Sequence, residues 1–423
     1  MIFLSIFLLN IKITIRMLKE TLDQHFNQYH NSSLKKDYLY HDNPLSKIHI
    51  GIIGMGYRGI ATLKRYLILD GIEINAICDI KASQLEKAKQ CFTRRNQSLE
   101  SVVFLDDWKK LCMMEHIDLI LVCTDWETHT EIAIHAMRHY KHVALEVPAA
   151  MNVSDCWKLV HTAHKYKRHC TMLENCCFDP FALCVHKLYN DGSFGDIIHV
   201  EGGYIHDLRD RFEKEKIIGG LYKQWAFKTA NNYIGNPYPT HGLGPVCKVL
   251  DIPQKDRLDY LVSVSAQKES GNNTKVTLHN TTIIKTRLGK TIVLEYNVQL
   301  PRPYSRIHQV CGTEGFAQKY PLPTIRLPKS DIIWQGKTTD DYPSQHLPKE
   351  INQFVLDAKR LQVDNLMNYI MDRRLIYCLH NGLPLDITVE DAATWSSIAD
   401  LTNQSCKKNG APIAIPDFYE SNE

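Results

Sequence analysis

The chain has 423 residues, a formal net charge of +3, 44% hydrophobic and 23% charged residues, enough for two domains with their own cores. No Lys/Arg block stands out, which argues against nucleic acid or an anionic membrane as partner. The thirteen cysteines include no C-x-x-C pair, which argues against a zinc site and a disulfide framework and for reduced thiols in a cytoplasm.

Residues 1–46 read as an N-terminal arm. Met1–Leu9 is apolar, but no basic residue precedes it and no small-residue cleavage site follows. An arm, or a start at Met17, is therefore preferred to a signal peptide, and no membrane span is expected. Lys47–Ile53 alternates and then runs apolar, as a buried parallel strand does, and feeds into Gly54-Met55-Gly56-Tyr57-Arg58-Gly59. A helical pattern follows on Ile60, Leu63 and Leu67. A second strand, Ile72–Cys78, ends at Asp79, about twenty residues past Gly59, the usual place for a ribose-binding acid. Gly54 permits the tight turn, Gly56 lets backbone approach a pyrophosphate, and Gly59 lets helix pack on strand. The helix N-terminus offers N–H groups to phosphates. Asp79 accepts from a ribose diol and repels a 2′-phosphate, which selects NAD over NADP.

Strand Ile117–Cys123 ends at Thr124–His129, helix Glu131–Tyr140 follows, and strand Val143–Val147 ends at Glu146-Val147-Pro148. Both strand ends should line the cofactor cleft. Ser154 is expected to cap a helix running to Tyr166. His161 and His164 stand at i, i+3 on that helix, but the lysines around them indicate a solvated face, and no metal is assigned. The Rossmann domain spans 47–173, and 174–423 forms an α+β domain. Its strands Ile197–Tyr204, Leu258–Gln267, Thr281–Thr286 and Thr291–Val298 suggest a largely antiparallel, open sheet covering the nicotinamide, with a helical segment at Glu350–Leu379.

A Rossmann half followed by an open-sheet half resembles the glucose-fructose oxidoreductase / inositol dehydrogenase (Gfo/Idh/MocA) superfamily. That superfamily usually carries Glu-Lys-Pro where this chain has Glu146-Val147-Pro148. Seven further stretches narrow the resemblance: Trp126–His129, Glu174–Cys177, Gly202–Leu208, Tyr238–Pro245, Arg302–Tyr304, and the tail runs Leu383–Asp386 and Ile415–Phe418. Together they resemble glycoside hydrolase family 109, the NAD-dependent α-N-acetylgalactosaminidases, from about Ile48 to Phe418. The resemblance implies a redox-neutral cycle: oxidation at carbon 3 of the sugar, elimination of the aglycone, water addition and re-reduction.

It also assigns residues. Trp126, Thr128, His129 and Asn175 match cofactor contacts; Tyr204, Tyr238 and Tyr304 match substrate contacts. His241 is expected to be the base, because imidazole titrates near neutrality, with Tyr238 beside it. Three positions differ from the family pattern: Ala226 after Trp225 in place of arginine, Phe178 in place of tyrosine, and Asp364–Asn368 in place of His-Gly-Gly-Met-Asp. Two alternatives stand beside the glycosidase reading: a sugar or cyclitol oxidoreductase, which the missing lysine disfavours, and a non-catalytic NAD-binding protein. The expected partner is a small-molecule or glycan substrate, with self-association into a homo-oligomer possible.

Overall fold

The computed structural model describes residues 42–210, 233–270, 274–328, 330–333, 349–363 and 365–420. Most of the arm, Trp225, Ala226 and Asp364 therefore lie outside the described residues.

The first half is a doubly wound α/β unit. Strands β1 (Ile48–Ile53), β2 (Ile72–Cys78), β3 (Val103–Leu105), β4 (Leu119–Val122), β5 (His142–Leu145) and β6 (Cys170–Met172) form one parallel sheet in the order β3-β2-β1-β4-β5-β6. Helices α1 (Tyr57–Tyr66), α2 (Ala82–Thr93), α3 (Trp108–Cys112), α4 (His129–Arg138) and α5 (Val153–Tyr166) alternate with them. Every residue of β4 and β5 is buried, which is why these strands read as continuous apolar runs. The order reverses between β1 and β4, so their C-terminal ends splay apart and open a crevice.

A 3-10 turn, Asn175–Phe178, and α6 (Pro180–Asn190) lead into the second half. Its sheet contains β7 (Ile197–Ile205), β8 (Leu258–Ser270), β9 (Thr274–Thr286), β10 (Thr291–Asn297), β11 (His308–Gly312), β12 (Phe316–Gln318), β13 (Thr324–Leu327), β14 (Ser330–Ile333) and β15 (Ile413–Ala414). The order is β14-β13-β12-β11-β7-β10-β9-β8-β15, and the pairings are antiparallel except β7 with β10. Burial alternates along β10, with Ile292, Leu294 and Tyr296 turned inward. That is the pattern of a sheet packed on one face only.

Helix α7 (Thr240–Val249) crosses β7 with almost no space between backbones. A Cβ on Gly242 would lie 2.4 Å from Gly203 N, and one on Gly202 2.2 Å from Gly242 O. The glycines at both positions thus set His241 directly against the sheet.

Two expectations are corrected. Asn152, not Ser154, caps α5: its side chain accepts from Asp155 N–H at 2.8 Å. The segment 350–379 is two helices, α8 (Lys349–Arg360) and α9 (Leu366–Asn381), separated where Gln362 turns left-handed (φ 53°) and Asn365 caps the second. A long final helix, α10 (Val389–Lys407), lies where the sequence shows no helical periodicity. It is buried on nearly all sides, packs between α5 and β8, and carries Ser396, Ser397, Thr402 and Ser405 inside, so it shows no amphipathic stripe.

Candidate active site

The dinucleotide half is built at the crevice. Gly54 has φ +91°, and a Cβ there would meet the Cys123 carbonyl carbon at 2.8 Å. A Cβ on Gly59 would lie 1.8 Å from Gly54 O, so helix and turn touch. At Gly56 nothing lies within 4 Å, and as N-cap of α1 it makes no side-chain capping bond. Open space in front of uncapped N–H groups is what a pyrophosphate needs. Asp79 is fixed at the end of β2: Met55 N–H donates to Oδ2 at 2.6 Å and Lys81 N–H to Oδ1 at 2.8 Å. A carboxylate has lone pairs left for a ribose diol after accepting two bonds. The residues present therefore fit NAD.

The neighbouring positions divide into those that face the crevice and those that brace it. Tyr57 is exposed at the first turn of α1. Arg58 reaches across the turn to Glu146, with Nη2 2.9 Å from Oε1 and 3.1 Å from Oε2. Val147 is buried, so the position that holds lysine in the superfamily brings no titratable group here. Thr128 Oγ1 bonds Thr124 Oγ1 and Asp125 Oδ1, each at 2.8 Å, and closes the loop after β4. His129 is fully buried, its Nδ1 2.9 Å from Pro148 O and its Nε2 3.3 Å from Thr124 O. Its ring ties the β4 and β5 loops together instead of facing the crevice. Asn175 is buried and donates to Asn368 Oδ1 at 2.7 Å.

On the second-half side, Trp126 stacks on Tyr238 with ring centroids 5.5 Å apart. Tyr238, at the entry to α7, has its hydroxyl 3.3 Å from His241 Nε2. The other ring nitrogen, Nδ1, lies 2.7 Å from Glu174 Oε1. Glu174 is completely buried. Burial works to raise its carboxyl, yet the facing His241 ring and the hydrogen bonds it accepts hold it below the usual carboxylate range. Burial also lowers His241 below the ordinary histidine value, and Glu174 offsets only part of this. The resting pair is thus an ionised Glu174 accepting Nδ1–H from a neutral His241, whose Nε2 keeps its lone pair. Burial raises the Tyr238 phenol well above its ordinary value, so it remains a hydrogen-bond donor.

Tyr204 completes the cluster, its ring 5.0 Å from Tyr238 and 5.5 Å from His241. Its hydroxyl lies 3.0 Å from His206 Nδ1, and His206 packs edge-on to Tyr304 at 5.0 Å. Arg306 donates to the Tyr304 hydroxyl and, through Nη1, to Cys176 Sγ at 2.8 Å. His241, Tyr238, Tyr204 and Tyr304 are therefore gathered at one place.

The sequence did not reveal Glu174 as the partner of His241, nor the contacts made by Arg306 and Asn368. Asn368 falls in a stretch that differs from the family pattern, yet it holds Asn175. Glu174, Cys176 and His241 put three metal-ligand side-chain types within 4.8 Å of one another. However, His241 Nδ1–H is already donated to the carboxylate, and the Arg306 guanidinium faces the sulfur, which opposes a dication. His164 and His161 are occupied elsewhere: His164 Nε2 lies 2.5 Å from Glu390 Oε1, and His161 stacks on Trp157.

Residues 48–173 match the oxidoreductase family with an NAD-binding Rossmann fold, and residues 181–422 match the C-terminal domain of glycosyl hydrolase 109. An alpha-N-acetylgalactosaminidase of Bacteroides fragilis is 47% identical over 393 residues, 89% of this chain and 92% of its own length. A glycosyl hydrolase family 109 protein of Phocaeicola vulgatus is 44% identical, covering 89% of this chain and 95% of its own. Among solved structures, levoglucosan dehydrogenase in complex with NADH and L-sorbose superposes with a TM-score of 0.69 over 88% of this chain and 100% of its own. At 16% identity that likeness concerns the fold.

Proposed function

The chain belongs to glycosyl hydrolase family 109 as an NAD-dependent glycoside hydrolase, and we propose that it cleaves terminal α-N-acetylgalactosaminides, or closely related α-glycosides, with His241 as the base. NAD, when bound, supplies reversible hydride chemistry at carbon 3 of the sugar, so that a ketone stands there during the middle of the cycle. Beside that ketone the carbon 2 proton is acidic. His241 Nε2 takes this proton while Glu174 accepts Nδ1–H and stabilises the imidazolium. The electron pair left at carbon 2 forms the carbon 1–carbon 2 double bond as the carbon 1–oxygen bond breaks, and the aglycone leaves with that bond's electrons. Water then adds its hydroxyl at carbon 1, its other proton neutralising the departed aglycone oxygen, His241 returns a proton to carbon 2, and the ketone is reduced again. Tyr204, Tyr238 and Tyr304 present phenols to the sugar hydroxyls around this centre.

The observation that carries this reading is the chain Glu174–His241–Tyr238: a buried carboxylate fixes one imidazole nitrogen and leaves the other facing the aromatic cluster. The buried Val147 offers no competing base from the cofactor side, which counts against a plain dehydrogenase. The test is turnover of an aryl α-N-acetylgalactosaminide in deuterated water. Deuterium should appear at carbon 2 of the released sugar with no net NADH, and His241→Ala should retain NAD but cleave nothing. Cleavage without label at carbon 2 rules out the elimination.

All thirteen cysteines are unpaired, which supports a reducing, cytoplasmic setting. No described helix is long and apolar enough to cross a membrane.

A further inference from the structure

Removal of the carbon 2 proton leaves negative charge on the carbon 3 oxygen, and none of the groups assigned so far is a cation directed at it. Arg306 is such a cation. It lies just before β11, where Gly203 N–H donates to its carbonyl at 3.0 Å, while Ser305 N–H donates to Ile205 O at 3.0 Å. These two bonds pin the segment along β7, the strand that carries Tyr204. Among the described residues the guanidinium then bonds neutral or weakly polar partners: the Tyr304 hydroxyl, Cys176 Sγ at 2.8 Å and Met367 Sδ at 3.6 Å. Burial pushes the Cys176 thiol well above its ordinary value, so it remains a thiol and does not neutralise the charge.

Among the described residues no carboxylate forms an ion pair with Arg306. Asp179, whose charge it feels, is committed to Lys319 and to Phe181 N–H. A cation held in this way is suited to stabilise negative charge that develops beside it. Its position relative to the base is set by Cys176, whose sulfur lies within 4.8 Å of both the Glu174 and the His241 ligand atoms. Arg306 thus bridges from the base to Tyr304, the proposed sugar contact.

We propose that Arg306 is a catalytic residue whose guanidinium stabilises the enolate oxygen at carbon 3 when His241 removes the carbon 2 proton. In that step the carbon 2–hydrogen bond breaks, the proton goes to His241 Nε2, and the electron pair moves onto the carbon 3 oxygen. The enolate then collapses, forming the carbon 1–carbon 2 double bond and expelling the aglycone oxygen. Arginine suits the task because it holds its proton at any physiological pH; it stabilises the enolate without quenching it. The proposal rests on the redox cycle described above.

The experiment compares wild type, Arg306→Met and Arg306→Lys, each loaded with NAD, on an aryl α-N-acetylgalactosaminide in deuterated water. Three quantities are followed: the transient NADH absorbance on mixing, deuterium entry at carbon 2, and aryl release. Arg306→Met should form the NADH band at near the wild-type rate but lose about a hundredfold in deuterium entry and aryl release, the scale for removing one oxyanion-stabilising donor. Arg306→Lys should restore part of that loss. Wild-type deuterium entry in Arg306→Met overturns the proposal, and so does an equal loss of NADH formation, which marks a positioning role only. Should the methionine variant fail to retain NAD, the lysine variant carries the test. It must then slow deuterium entry more than NADH formation, and equal rates for both overturn the proposal. A wild type that shows neither band nor label defeats the underlying cycle instead, so the two failures are told apart.

Discussion

At the scale of single residues, the role proposed for His241 depends on which of its nitrogens carries the proton. Burial lowers the ring below the ordinary histidine value of about 6.5, so the acid limb of kcat/KM against pH should fall below that value. Activity is present while the ring is neutral and is lost as pH falls through the lowered value. The Glu174 charge works the other way and raises it. Glu174→Gln should therefore move the acid limb further to acid while lowering the plateau by about ten- to a hundredfold, since a weaker, less well oriented base remains. A profile in which the limb stays put, measured with NAD occupancy held equal, would mean that Glu174 carries no charge toward the ring. On the cofactor side, Asp79→Ala should weaken NAD binding by about 1–3 kcal/mol, measured by calorimetry on stripped protein. Asp79 was legible in the sequence because its partners, the glycine turn and the strand end, are local in the Rossmann pattern. Glu174 and Arg306 were not, because their partners lie 67 and 130 residues away and no periodicity links them. His129 was legible as a motif member but not as a brace; only the fold shows its ring buried between Pro148 and Thr124.

At the scale of elements, two glycines make opposite predictions. Gly56 faces open space at the start of α1, so Gly56→Ala should unfold thermally much as the NAD-stripped wild type does and yet be purified largely free of NAD. Gly242 faces the β7 backbone, so a methyl there must push the first turn of α7 outward. Gly242→Ala should lower stability by about 1–3 kcal/mol, the range for overpacking, and reduce turnover while NAD remains bound, because Tyr238 and His241 ride on that turn. If Gly242→Ala is fully active, the close approach does not position the base. The same contrast explains what could be read from sequence. Strands β1, β2, β4 and β5 announce themselves by apolar runs ending in turn residues. Helix α10 does not, because it is enclosed on nearly every side and its buried serines and threonines remove any stripe. Its one local signal is the box of Thr388 and Asp391, where each side chain accepts from the other's backbone N–H at 3.2 and 3.1 Å.

At the scale of the whole molecule, the proposed redox-neutral cycle requires the cofactor half and the half carrying His241 to keep one geometry through every step, since the hydride must return to the carbon it left. Several contacts hold the halves in register. Trp126 stacks on Tyr238, Thr171 Oγ1 donates to Ile387 O at 2.8 Å, and Ala149 N–H donates to Ser396 Oγ at 3.1 Å. Another is Arg65 of α1 against Asp372 of α9, with Nε 2.6 Å from Oδ2 and both side chains buried. Neither residue sits in a recognisable motif, and the two are 307 positions apart, so this brace could not be read from sequence. A buried pair of this kind contributes little over a well-packed apolar pair, but removing one member strands the other charge. Asp372→Ala should therefore cost about 3–5 kcal/mol in urea unfolding, with NAD retention falling as the halves loosen. The double variant Arg65→Met/Asp372→Leu should recover most of that stability. Turnover measured on the same proteins separates the two roles of the brace. If the double variant regains both stability and activity, the ion pair serves only to hold the halves together. If it regains stability but stays slow, the directional bond between α1 and α9 is what keeps carbon 3 in line with the cofactor crevice. A urea midpoint unchanged in Asp372→Ala would show that the other contacts hold the halves without it.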